Sequence, residues 1–256
     1  ILDEEAKQLA IAFDNDDLYT TEDSSASKNG TFLGNHDMGR IGGFISNRFP
    51  NPEVALAKAQ LAHAILYAIR GIPIVYYGDE FGLIGGRDKA ARQSLFPTQV
   101  SEWQKQIRIG STPIGVGNTF DTANPIQGTI RVLSKLRDEY PTLQSGPQKV
   151  RFAKNATLVI SRFDKSSNSE LIFIFNSGTK VSKVSLSSLG ITGLSTSDLS
   201  LKIGQASVTG SVITIPQLSW SVFQRKVVSK TAKTSIELLK PSLYKYDPSI
   251  IFLRAR

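Results

Sequence analysis

The run Ile72–Pro73–Ile74–Val75–Tyr76–Tyr77 is apolar at successive positions, and a strand of that kind has no face to give to water. It calls for cover on both sides, as parallel strands beneath helices receive. The segment ahead of it reads as the clearest helix in the chain. Asn51 can accept from exposed backbone N–H groups as an N-cap, and Pro52 suits the first helical position because its missing N–H needs no partner there. Alanine-rich sequence then runs to Arg70, where Gly71 and Pro73 stop the helix. The Asn-Pro start recurs at Asn124–Pro125, and Ile126, Ile130, Leu133 and Leu136 make one stripe that ends at Tyr140–Pro141. Upstream, Leu2, Ala6, Leu9, Ala10 and Phe13 predict an amphipathic helix over residues 3–13. A Ser/Asp/Asn-rich loop follows, then a short buried strand at Thr31–Phe32–Leu33. Strand, helix, strand, helix is the order of a parallel α/β sheet or barrel.

From about residue 146 the pattern changes to period-two alternation broken by Ser, Asn and Gly turns. Leu158–Phe163, Leu171–Phe175, Val181–Leu186, Ser211–Ile215 and Ser219–Phe223 are expected as antiparallel strands of a small β-sandwich. The fold expectation is therefore α/β plus all-β: an α/β unit over residues 1–145, an antiparallel β-sandwich over 146–227, and a linker or the opening of a further module over 228–256.

Charge narrows the function classes. The formal net charge is +8, but residues 146–256 hold 16 Lys and Arg against 5 Asp and Glu, while residues 1–145 hold 14 against 17. The basic excess is spread as single lysines among Ser and Thr without interleaved aromatics, which describes a solvated face rather than a nucleic-acid surface. No apolar run approaches the roughly 18 residues of a membrane span, so no membrane partner is expected. With no cysteine, disulfides, thiolate metal sites and a cysteine nucleophile are excluded.

Asn35–His36–Asp37 follows the Thr31–Leu33 strand directly. Loops at the C-terminal ends of barrel strands build active sites, so the imidazole and the carboxylate there are candidate catalytic groups. The same tripeptide also suits a plain turn with a helix cap. A metal pair at His36 and Asp37 is disfavoured, because the only other histidine, His63, sits inside the Ala-rich helix.

Three segments together resemble one family. Phe32–Leu33–Gly34–Asn35–His36–Asp37 resembles the seventh-strand motif F-x-x-N-H-D of the α-amylase family of glycoside hydrolases. Gly71 to Gly82, with Pro73, Tyr76–Tyr77–Gly78 and Glu80, resembles its eighth-strand motif G-x-P-x-x-Y-Y-G-x-E-x-G. Asp88 and Arg92 then resemble the Asp and Arg that grip a sugar two units from the cleaved bond, although at four residues apart they also suit a helix-surface ion pair. The likeness covers about residues 1–227, by motif from 31 to 93 and by architecture elsewhere.

The resemblance implies the last two strands and helices of a (β/α)8 barrel followed by the family's C-terminal β-sandwich. It implies that Asp37 is the carboxylate that stabilises the transition state. His36, Asp88 and Arg92 would bind substrate, and Asn35 would position the loop. Glu80 is implied to be structural, Tyr76 and Tyr77 to be barrel wall with one edge available to sugar, and Trp103 to pack against the barrel or serve as a sugar platform. The family's nucleophile, an Asp after the fourth strand, and its acid/base, a Glu after the fifth, would both lie upstream of Ile1, with any calcium site. No cofactor and no metal is expected in this segment. The expected parent is a retaining hydrolase of α-1,4-glucans (starch or maltodextrins), secreted as the family implies, with this chain inactive on its own. The alternatives are a glucosyl transferase or isomerase of the same family, and a non-catalytic glucan-binding homologue.

Overall fold

The computed structural model describes residues 5–14, 25–120, 123–164 and 169–226, so the predicted 228–256 segment lies outside the described residues. Helix α1 (Ala6–Asp14) leads to the short strand β1 (Gly30–Phe32), then to helices α2 (Ile41–Arg48) and α3 (Pro52–Ala68) and strand β2 (Ile72–Ile74). A long connection carries the one-turn helix α4 (Ser101–Lys105) and delivers the chain to α5 (Pro125–Glu139) and α6 (Thr142–Ser145). Eight further strands follow: β3 (Gln148–Lys154), β4 (Thr157–Asp164), β5 (Ser169–Asn176), β6 (Ser182–Ser185), β7 (Leu199–Ile203), β8 (Ser207–Thr209), β9 (Val212–Ile215) and β10 (Ser219–Lys226).

Both long helices begin as the Asn-Pro pairs predict. The Asn51 side-chain oxygen accepts from the N–H groups of Glu53 at 2.9 Å and Val54 at 3.1 Å. The Asn124 oxygen accepts from Ile126 N–H at 2.9 Å, and its amide nitrogen donates to Ile109 O at 2.9 Å and Ser111 Oγ at 3.1 Å. Asn124 thus caps α5 and also pins the preceding connection. After α3 the chain turns at Gly71 with φ +104°, where a Cβ would stand 2.8 Å from Asn29 O. Glycine alone permits that left-handed turn against the neighbouring backbone.

The turn places β2 beside β1 in parallel, with Gly30, Thr31 and Phe32 opposite Ile72, Pro73 and Ile74. The strand expected over Ile72–Tyr77 ends at Ile74, and its expected cover on both faces is absent among the described residues. Ile72 is 54% exposed, Ile74 50% and Phe32 47%. The two-stranded parallel pair has Thr31 and Pro73 partly covered on one side and leaves the opposite side bare.

Full cover is found instead in β5. Strands β3-β4-β5-β10-β7 form one antiparallel sheet in that order, and β6-β9-β8 form a second. Leu171, Phe173 and Phe175 join one buried cluster with Leu61, Ile65 and Leu66 of α3 and Leu133 and Leu136 of α5. Ile172 and Ile174 point the other way, into a cluster with Val184, Ile213 and Ile215 of the second sheet. Leu171–Phe175 therefore shows no polar alternation, because each face of β5 is packed. Arg162 of β4 joins helix ends to this sheet. It is fully buried, and its guanidinium donates to Ala68 O at 2.9 Å, Thr142 O at 3.2 Å and Gly146 O at 2.9 Å. The Ala68 and Gly146 carbonyls lie at helix C-termini, where intrahelical partners run out, while Thr142 O also accepts from Gly146 N–H at 2.8 Å. Burial pushes Arg162 down to about 9, helped by the like charges of Arg137 and Arg70.

The two Asn caps give a direct comparison. Asn51→Ala, at an exposed cap, is expected to cost about 1 kcal/mol. Asn124→Ala also strands the buried Ile109 carbonyl and is expected to cost about 2–4 kcal/mol. Urea unfolding followed by circular dichroism ranks them; equal losses would mean that the Asn124 amide contributes nothing beyond capping.

Candidate active site

The site is assembled from two loops that leave β1 and β2 at the same end. After β1 the chain closes a five-residue turn, in which Asn35 N–H donates to Gly39 O at 3.2 Å and Gly39 N–H donates back to Asn35 O at 3.0 Å. Inside it the Asn35 side-chain oxygen accepts from Asp37 N–H at 2.9 Å and Met38 N–H at 2.8 Å. The Asn35 side chain is used up in shaping the turn, the behaviour of an Asx turn. His36 and Asp37 are left projecting, with His36 Nε2 3.3 Å from Asp37 Oδ2 and side chains 56% and 70% exposed.

The second loop brings Arg92 across. Its Nη2 stands 3.5 Å from Asp37 Oδ1 and 3.3 Å from Asp88 Oδ1. Asp88 opens the 3₁₀ turn Asp88–Ala91 at φ +56°, in the left-handed region that short polar residues tolerate better than most. Asp88 and Arg92 do make the i,i+4 ion pair, and the same guanidinium also reaches Asp37. The two readings of that pair coexist. Side chains at 50–71% exposure gain at most about 1 kcal/mol from such contacts, so all four groups stay available to a ligand. Two carboxylates, an imidazole and a planar donor fork offer both acceptors and donors to a polyhydroxylated molecule.

Beneath this exposed patch lies a buried one. Arg40, three residues beyond Asp37, is 0% exposed. Its Nε donates to Gln93 Oε1 at 2.8 Å, and its Nη1 donates to Asp79 Oδ1 at 2.9 Å and to Tyr77 O. The Tyr76 and Tyr77 rings flank the guanidinium at 4.5 and 4.9 Å. Gln93 in turn donates through Nε2 to Ile84 O and Gln106 Oε1. The sequence reading did not single out Arg40, Asp79 or Gln93, since nothing local distinguishes a buried arginine from a surface one. Tyr76 is partly buried, with its hydroxyl donating to Ala91 O at 3.0 Å, while Tyr77 is 40% exposed. Glu80 lies in the 3₁₀ turn Asp79–Phe81 and Trp103 on α4, both partly buried. His63 is buried in α3 with Nδ1 2.8 Å from Ala59 O, and burial holds it below the usual imidazole range. Among the described residues no three His, Asp or Glu side chains stand close enough to hold a metal ion.

Burial pushes Asp79 up to about 6, with the Arg40 guanidinium pulling the other way. Folded protein therefore takes up a proton here between about pH 4 and 6 that the unfolded chain, with its ordinary carboxyl, does not hold. The Asp79 contribution to stability is greatest below that window and declines as pH rises through it, by roughly 3 kcal/mol at most. Asp79→Asn is expected to flatten this decline in urea unfolding measured across the window. An unchanged slope would assign the decline to other groups.

Comparison with known proteins gives the family of this chain. The family model "Alpha amylase, catalytic domain" matches residues 4–146. The α-amylase of Streptomyces lividans is 34% identical over 247 residues, which is 92% of this chain and 27% of that protein. The cyclomaltodextrin glucanotransferase of Bacillus sp. (strain 1-1) is 33% identical over 99 residues, 36% of this chain and 13% of that one. Among solved structures, the α-amylase of Geobacillus thermoleovorans complexed with acarbose superposes with a TM-score of 0.62 at 19% identity, covering 87% of this chain and 44% of that one. The chain thus spans about a quarter of the length of the Streptomyces enzyme, and it belongs to the α-amylase family of glycoside hydrolases.

Proposed function

We propose that this chain is the C-terminal part of a retaining glycoside hydrolase that cleaves α-1,4 bonds in starch or maltodextrins. The observation that carries the reading is the convergence of Asp37, His36, Asp88 and Arg92 on one exposed patch beyond two parallel strands. In this reading β1 and β2 are the last two strands of a (β/α)8 barrel. The bare apolar side at Phe32, Ile72 and Ile74 is the surface on which the other strands close. Residues 146–227 are the C-terminal β-sandwich domain, and residues 228–256 are a linker or the opening of a further module. Secretion follows from the family likeness; among the described residues no helix is long and apolar enough to cross a membrane.

Cleavage of a glycosidic bond with retention passes through an oxocarbenium-like transition state, with positive charge spread over the ring carbon and oxygen. Asp37, fixed by its turn and exposed, opposes that charge with a carboxylate and accepts from ring hydroxyls. His36 donates to a hydroxyl of the same sugar. Asp88 and Arg92 hold the neighbouring glucose with an acceptor and a two-pronged donor. The nucleophile and the acid/base, which must stand about 5 Å apart across the bond, belong to earlier strands of the parent protein, together with any calcium site.

A second reading has one observation in its favour. The likeness to a cyclomaltodextrin glucanotransferase over 99 residues raises glucosyl transfer in place of hydrolysis. Both reactions share the same first half, and they differ in whether water or a sugar hydroxyl accepts the glycosyl group.

Purified 256-residue chain is expected to release no reducing sugar from maltoheptaose, whereas the protein extended upstream does so and gives products of retained anomeric form by NMR. In the extended protein Asp37→Asn is expected to lower kcat by about 10²–10³-fold. Products longer than seven units identify transfer. Hydrolysis by the isolated chain would remove the missing-nucleophile reading, and maltoheptaose binding without turnover in the extended protein would leave a glucan-binding homologue.

A further inference from the structure

We infer that Arg40 is a positioning residue, whose buried guanidinium holds the Asp37 loop and the Arg92 loop in one fixed relation. The inference rests on the proposed reading of Asp37 and Arg92 as groups that act on one sugar chain.

The exposed groups cannot fix their own geometry. His36, Asp37, Asp88 and Arg92 are each half exposed or more and meet one another at 3.3–3.5 Å, contacts that water competes for. The buried contacts lie below them. The Asn35–Gly39 turn closes on itself, and the next residue is Arg40, whose own N–H donates to Gly85 O at 3.0 Å. Main chain and side chain of one residue therefore both bind the 77–93 segment. The guanidinium reaches three places on it: the Tyr77 carbonyl, Asp79, and Gln93. Gln93 is the residue directly after Arg92, and its amide is held on both ends, by Arg40 on the oxygen and by Ile84 O and Gln106 on the nitrogen. One buried path from Asp37 to Arg92 thus runs through the Arg40 side chain to that of Gln93, the residue next to Arg92.

The chemistry requires arginine. Nε and Nη1 point in different directions within one plane, so Gln93 and Asp79 are bound simultaneously, and the flat cation fits beside the Tyr76 and Tyr77 rings. A lysine keeps the charge and loses the fork. Gly78, at φ +89°, leaves room for the group, since a Cβ there would stand 3.2–3.3 Å from both terminal nitrogens and 2.5 Å from Leu83 Cδ1. Stability is a poor explanation for the pair, because taking both charges out of water offsets most of their attraction, and well-packed apolar replacements often do as well. What a buried fork supplies that apolar packing does not is a defined direction at each of its partners.

Two variants test this, Arg40→Lys and Gln93→Leu, with two readouts. In the 256-residue chain, amide ¹⁵N–¹H shifts are recorded for residues 35–39, 88–93 and, as a reference, α5. Arg40→Lys is expected to move the first two groups together and leave α5 in place, and Gln93→Leu to move 88–93 only. In the protein extended upstream, Arg40→Lys is expected to lower kcat on maltoheptaose about tenfold or more, with KM changed less than threefold. For Arg40→Lys, shifts confined to residues 39–41, or a lowered melting temperature with unchanged kcat, would reduce Arg40 to a structural residue and overturn the inference. If Arg40→Lys does not fold, Gln93→Leu decides alone: shifts of residues 88–90, away from the substituted position, that stay at wild-type values overturn it. Should the extended wild-type protein show no turnover at all, the proposed function fails, and the amide shifts still decide the role of Arg40.

Discussion

Helix α3 shares one buried cluster with two different partners, and the described structure is organised around that burial. Leu61, Ala64, Ile65, Leu66 and Ala68 join Leu133 and Leu136 of α5 and also Phe173, Phe175 and Val222 of the five-stranded sheet. A helix with apolar or small residues on every side has no face to offer solvent and must be enclosed. The alanines at 55, 59, 62, 64 and 68 keep the cylinder narrow, so that neighbours can pack close to its axis. At its C-terminus the freed Ala68 carbonyl is taken by Arg162 of β4, which fixes where the helix stops relative to the sheet. Gly71 then turns the chain back into β2. The position of the site loop after β2 is thus set by how α3 is buried, through a few residues of connecting chain.

The site itself separates two tasks that a single layer could not perform together. Asp37, His36, Asp88 and Arg92 are solvated and reachable, as the proposed sugar-binding role requires. Solvated charges hold one another weakly, so their arrangement has to come from elsewhere. The buried Arg40, Asp79 and Gln93 lie directly under them, where low local dielectric makes each hydrogen bond stronger and each unpaired group costlier. Asp79 shows the strain of that location: burial raises it to about 6 even with a guanidinium at 2.9 Å.

Signals that act between near neighbours were legible. The Asn-Pro starts at 51 and 124 are caps in the structure because a cap needs only the next two or three residues. The apolar stripe of α5 lies against the core for the same reason, since a helix fixes which residues share a face. Strands Gln148–Lys154, Leu199–Ile203 and Ser207–Thr209 were missed, as was helix Ile41–Arg48. The first three are short or rich in polar and charged residues, and Ile41–Arg48 carries Gly42 and Gly43, so none has a strong period of its own. They are held by the partners they pair with or pack on.

The sequence by itself placed the candidate groups: Asn35, His36 and Asp37 in one tripeptide, Asp88 and Arg92 four positions apart, and the two motifs in order. It also determined the helix starts and the change from α/β to antiparallel pattern near residue 146. Only the tertiary structure decided that Arg92 reaches Asp37 across 55 positions, and that Arg40 binds Asp79 and Gln93 across 39 and 53. It alone decided that β5 is covered on both faces while β2 is bare on one. The physical reason is range. Capping and periodicity are properties of adjacent backbone, whereas burial and long-range pairing depend on which surfaces meet, and the same arginine reads identically in sequence whether it meets water or a carboxylate in the core.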